Sequence, residues 1–171
     1  MNINKKEKFV VKTSIITKNE LYEMVFDRDK NSTSYTKIDR QGNLEKDLSE
    51  VEVNGIKYQP LSPTSNLVEK GVMLFSSTVA PYEDEKEILN DIKVFIHKYL
   101  DISEVFEQIA TYYVLFTWLY DRFNEVPYLR AIGDFGSGKS RFIQTIGMIC
   151  YKPVFTSGAT STAPIFRFLY E

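Results

Sequence analysis

The residues Gly133-Asp134-Phe135-Gly136-Ser137-Gly138-Lys139-Ser140 have the types and the spacing to hold a polyphosphate. A polyphosphate carries several negative charges and needs donors gathered around it at short range. Glycines at 133, 136 and 138 allow the backbone to curl with its N–H groups pointing inward, which makes an anion-binding nest. A helix beginning near Lys139 adds the positive end of its dipole. On this reading Lys139 reaches the β- and γ-phosphates of ATP and is the catalytic residue of the set. The Ser140 hydroxyl is placed to ligate Mg²⁺. Asp134 either contacts the nucleotide or its metal, or orients the loop. Phe135 and Ser137 complete the loop backbone. Arg141 flanks it as a phosphate-side cation or as a solvated helix residue.

Chance is a poor explanation of the pattern. Typical residue frequencies give about one accidental match in a few hundred chains of this length. The flanking sequence also suits it. Residues 126–132 form a short apolar run that predicts a strand, and 141–150 has helical spacing (Phe142, Ile143, Ile146, Ile149). Residues 153–155 predict a second strand, and 163–170 a helix, with Pro164 tolerable in its first turn. Strand, loop, helix, strand is the opening of a parallel α/β domain. Between them, 156–162 is a Thr/Ser/Gly loop. It reads either as turn chemistry with a helix cap or as a loop beside the nucleotide that meets a translocated substrate.

The preceding residues would carry this site and show no chemistry of their own. Runs 9–16, 21–26 and 33–38 are β-branched or aromatic and predict strands. Arg40-Gln41-Gly42-Asn43 is a turn signal, and Asn54-Gly55 between alternating apolar residues predicts a type I′ hairpin over 51–58. Ser62-Pro63-Thr64-Ser65 marks a linker or long loop, and 72–79 predicts another strand. Ile88, Ile92, Phe95, Ile96 and Leu100 give 84–100 helical spacing. Ser103 is placed to cap a second helix reaching about Phe123, apolar around most of its surface and so expected to pack on several sides. Its aromatics suit a core better than a base-stacking platform, which needs a positive groove.

Composition narrows the classes. With 43% apolar and 26% charged residues, 12 Phe and 11 Tyr, the chain has the make-up of a folded globular protein. The net charge is −2, and no long segment is basic enough to announce nucleic-acid binding. A single cysteine, Cys150, excludes an intrachain disulfide, fits a reducing cytoplasm, and reads as a buried inert thiol. One histidine, His97, without a thiol cluster argues against zinc. The polar N-terminus is not that of a signal peptide. The most apolar stretch, 109–120, is too short for the roughly 20 residues of a membrane span, so no membrane association is expected.

The loop matches the Walker A pattern of P-loop NTPases in full. GDFGSGKS, a helix of about ten residues, and PVFTSGATSTAPIFR resemble the core of AAA+ type helicase ATPases. The layout is similar to that of the minichromosome maintenance helicases and of plasmid and phage helicase or primase-helicase proteins. The likeness covers about 128–171. It implies an ATP-dependent DNA-processing motor of a mobile element, acting in DNA replication, with a DNA partner and a homo-oligomeric ring.

Such an ATPase also needs a second acidic motif, a sensor residue and an arginine finger. Asp134 is the last aspartate, and Glu171 is the only later glutamate. The expectation is therefore a partial sequence that binds nucleotide more readily than it hydrolyses it. The expected organisation is α/β: a small antiparallel β-rich module over 1–80, a helical connector over 81–124, and the start of a P-loop core over 125–171. Two other readings stay open, a nucleotide-dependent regulatory switch and a P-loop kinase.

Overall fold

The computed structural model describes residues 9–82 and 84–156. They divide into two compact units at the Ala80–Pro81 junction. The content is mixed α/β, with small antiparallel sheets and four α-helices. The expected loop 157–162 and helix 163–170 lie outside the described residues.

The described residues of the first unit form seven strands. They are β1 (Val10–Val11), β2 (Ser14–Ile16), β3 (Glu20–Asp27), β4 (Ser32–Asp39), β5 (Leu44–Leu48), β6 (Val51–Val53) and β7 (Ile56–Gln59). β2-β3-β4-β5 form an antiparallel sheet, and β1-β7-β6 a second, in which β1 runs parallel to β7. Strand β3 is longer than its neighbour β2. The excess edge is closed by irregular chain, Met24 donating from its amide to the Thr13 carbonyl and Phe26 to that of Ser76.

Turns set the registers. Asp39 accepts from the Asn43 side chain and from the Asn43 and Gln41 amides, the last two at 2.9 Å, and these bonds, the Asn43 side chain foremost, hold its carboxyl below the usual range. Asn54 and Gly55, with φ of 53° and 76°, make the expected hairpin turn between β6 and β7. Met24 and Tyr35 are fully buried, and the Tyr35 hydroxyl donates to the Lys12 carbonyl at 2.6 Å. Burial pushes that phenol well above its ordinary pKa. Helix α1 (Asn66–Glu69) adds buried Leu67 and Val68.

Two expectations need correction here. The run 9–16 is interrupted by Lys12 and Thr13, and gives two short strands in different sheets. Residues 72–79 are not a strand. Only Met73 makes a bridge, because a strand exists only as one side of a continuing ladder. The segment expected as a linker or long loop is irregular chain up to α1, and its Leu61 carbonyl accepts from the Thr33 hydroxyl at 2.7 Å.

The second unit begins with α2 (Glu85–Tyr99) and α3 (Glu104–Trp118), followed by a 3₁₀ turn (Tyr120–Arg122) and α4 (Lys139–Gly147). Asp84 caps α2 by accepting from the Glu87 amide at 2.9 Å. Ser103 occupies the cap position of α3, but its side chain makes no capping bond. Ile96, Leu100, Ala110, Val114 and Ile146 are the shared core of the three helices, with Leu129, Phe142 and Ile149 packed against it. The end of α4 is pinned to α3: Trp118 donates from Nε1 to the Ile149 carbonyl at 3.0 Å, and the Thr117 hydroxyl accepts from the Tyr151 amide at 3.0 Å. Cys150 is half-buried, donates to the Ile146 carbonyl, and has its thiol pKa raised by burial.

Helix α3 does not pack on several sides among the described residues. Its neighbours α2 and α4 cover the Ala110–Val114 face, leaving Val105, Phe106, Ile109 and Tyr112 exposed. The strands expected over 126–132 and 153–155 are also absent. The first is irregular chain without a ladder, and the second has one bridging residue, Val154. A strand needs hydrogen-bonded neighbours, and no described segment pairs with 126–132.

Candidate phosphate-binding site

The Gly-rich run is a curled loop that ends on the first residue of α4. Gly136 and Gly138 take φ of 79° and 81°, the left-handed region that glycine occupies without penalty. Gly138 is the residue immediately before the helix, and its carbonyl accepts the Phe142 amide at 2.9 Å. The Ser137 amide donates to the Asp134 carbonyl at 3.2 Å, closing a turn at the tip. Gly133 differs from Gly136 and Gly138, being tight against the Ser137 side chain and not left-handed. A Cβ there would lie 2.6 Å from Ser137 Oγ and 3.3 Å from Ser137 Cβ.

Lys139 lies across this loop. Its ammonium donates to the Gly133 carbonyl at 2.9 Å, the Asp134 carbonyl at 2.5 Å and Ser137 Oγ at 3.2 Å. An ammonium has three N–H donors, and the loop supplies three acceptors. The curl is thus formed around a positive charge, at the end of α4 where backbone amides are unpaired and the helix dipole is positive.

An open cleft of about 970 Å³ adjoins the loop, at the upper end of the ~300–1,000 Å³ range of small-molecule sites. Of the candidate residues, Gly133, Ser137, Gly138, Lys139 and Arg141 line it, whereas Asp134, Phe135, Gly136 and Ser140 do not. Phe135 projects fully into solvent, and Ser140 is exposed on the first turn of α4.

Two features of the cleft escaped the sequence. Lys98, Arg130, Lys139 and Arg141 face it together with one carboxylate, Asp101, so the cleft is locally cationic although the chain is not. These cations come from three separate stretches, so no window of sequence displays them. The second feature is the pairing of His97 with Glu107, Nδ1 to Oε1 at 2.9 Å, with Lys93 3.7 Å from the other carboxylate oxygen. Glu107 is buried, whereas His97 is exposed and faces the cleft. Their spacing of ten residues across a helix–helix connection carries no local signal.

No cluster of three or more metal-ligating His, Cys, Asp or Glu side chains occurs among the described residues. Nor is any described helix long and apolar enough to cross a membrane. Comparison with protein-family models, curated proteins and solved structures gave no match to this chain.

Proposed function

We propose that this chain binds ATP through the loop 133–140, as the nucleotide-binding part of a P-loop NTPase. The observation that carries the reading is the threefold bonding of Lys139 within a glycine loop at a helix start. Binding would exchange carbonyl acceptors for phosphate oxygens at Lys139 Nζ. The ammonium would move little, and the unpaired amides of the first turn would complete the cradle. Arg141 and Arg130, at the same cleft, add attraction for a polyanion.

The residues present fit Mg²⁺ as it accompanies a nucleotide. This ion usually takes one or two protein oxygens and fills its octahedron with phosphate oxygens and water. Ser140 Oγ, exposed beside Lys139, is the group that would hold it. The ion's chemistry is to neutralise charge developing on the phosphates during in-line attack by water.

The wider role we propose is an ATP-dependent DNA-processing motor of the helicase or primase-helicase kind, working as a ring on DNA. This role rests on the resemblance of GDFGSGKS and PVFTSGATSTAPIFR, and the binding site supports only its nucleotide step. Equal affinity for ATP in the wild type and in Lys139→Ala would overturn the proposal at its base.

A further inference from the structure

The cleft is larger than a phosphate group requires, and its wall away from the loop has a different character. Leu100, Ile102, Phe106, Ile109 and Ile132 line it. Phe106 is 61% exposed and Ile109 48%, so α3 presents an aromatic ring and an aliphatic side chain to the cleft with nothing described covering them. One cleft thus joins a cationic loop to an apolar wall, the division of chemistry found in a nucleotide between its phosphates and its base.

His97 stands on the same wall, and Glu107 sets how it is presented. The carboxylate can only accept, so His97 Nδ1 donates to it, and Nε2 is left for a ligand. The neutral ring then offers an acceptor at Nε2, and the charged ring a donor. Glu107 is itself fixed by burial and by Lys93, so the imidazole is held by a group shielded from solvent.

We infer that the apolar wall takes the nucleoside of the bound nucleotide, with its base against Phe106 and Ile109 and His97 Nε2 as its polar contact. Glu107 is a positioning residue that fixes the His97 tautomer. The inference rests on phosphate binding at Lys139 and adds a second, separable source of affinity. Base-on-aromatic contacts are sequence-tolerant and contribute on the order of tenfold or more in affinity, so the wall should accept several bases.

The single histidine makes the test direct. Wild-type protein is titrated with MgATP and with inorganic tripolyphosphate in Mg²⁺, while the His97 ring nitrogens are followed by ¹⁵N NMR and affinity is measured calorimetrically. ATP is expected to bind at least about tenfold more tightly than tripolyphosphate and to shift the Nε2 signal, which tripolyphosphate leaves in place. Phe106→Ala should bring ATP affinity down toward that of tripolyphosphate. Glu107→Leu, which leaves Nδ1 without its acceptor, should release the ring from the Nδ1–H tautomer in the free protein. Equal affinities for the two ligands in the wild type, or ATP binding without any change at His97 and without loss in Phe106→Ala, would overturn the inference while phosphate binding stood. Failure of both ligands to bind the wild type would overturn the phosphate reading and the inference with it.

Discussion

Gly138 gives the sharpest test of the loop geometry. It holds φ of 81° at the residue before α4, and a Cβ built on it meets nothing within 4 Å. A Gly138→Ala change in the free protein is therefore free of steric contact and isolates the backbone penalty. A left-handed conformation costs an L-residue about 1–2 kcal/mol. If the loop keeps its curl, that cost falls on folding. A domain of this size shifts by about 4–8 °C in Tm per kcal/mol, so the melting of the second unit should fall by about 4–16 °C. If the loop relaxes instead, stability is kept and the cost moves to binding, with ATP affinity falling about 5- to 30-fold. Thermal denaturation and calorimetric titration on one preparation read both parts. Gly138→Asn is the control, because asparagine tolerates this region better than alanine and should lose less on either measure. The reasoning is refuted if Gly138→Ala matches the wild type in both stability and affinity. It is also refuted if asparagine is as damaging as alanine, since bulk and not φ would then be the cause.

The buried phenol of Tyr35 should make the first unit sensitive to alkali. Its pKa is raised in the folded state by burial, so the stability held by the neutral hydroxyl is full below the unfolded value of about 10 and is lost as pH climbs toward the folded one. Denaturant unfolding followed by circular dichroism at pH 9 and pH 11 should show a larger drop for the wild type than for Tyr35→Phe. Equal drops would contradict the assignment. At neutral pH, Tyr35→Phe also loses the 2.6 Å bond to the Lys12 carbonyl and should cost about 0.5–1.5 kcal/mol. In the second unit, Trp118→Phe removes the bond from Nε1 to the Ile149 carbonyl and should cost a similar ~0.5–1.5 kcal/mol by the same measurement. A variant as stable as the wild type would mean that this bond does not hold α4 to α3.

Features written in neighbouring residues were legible in the sequence. The hairpin over 51–58 followed from Asn54-Gly55, whose positive φ angles are the geometry that pair favours. Helix α2 followed from the spacing of Ile88, Ile92 and Ile96 and ends within a residue of the expected bounds. The glycine loop ahead of α4 was legible because its glycines and Lys139 lie in one run of neighbouring residues. What depends on distant partners was not legible. The run 126–132 has the composition of a strand, but pairing makes a strand, and composition does not reveal which segment supplies the ladder. The apolar circumference of α3 suggested burial all round, yet Phe106 and Ile109 face an open cleft. The cations of that cleft and the His97–Glu107 pair arise where α2, α3 and the loop meet, and nothing local announces them.

The central claim is that Lys139 holds a nucleotide's phosphates. Calorimetric titration of MgATP into the wild type and into Lys139→Ala tests it most directly. The ammonium makes three bonds in the loop and should make charge-assisted bonds to phosphate when ATP is present. Such bonds contribute about 1.5–3 kcal/mol, so the variant is expected to lose about 10- to 150-fold in affinity. The lost bonds are exposed, so its fold should remain intact by circular dichroism. Wild-type and variant protein binding MgATP with the same affinity would contradict the claim.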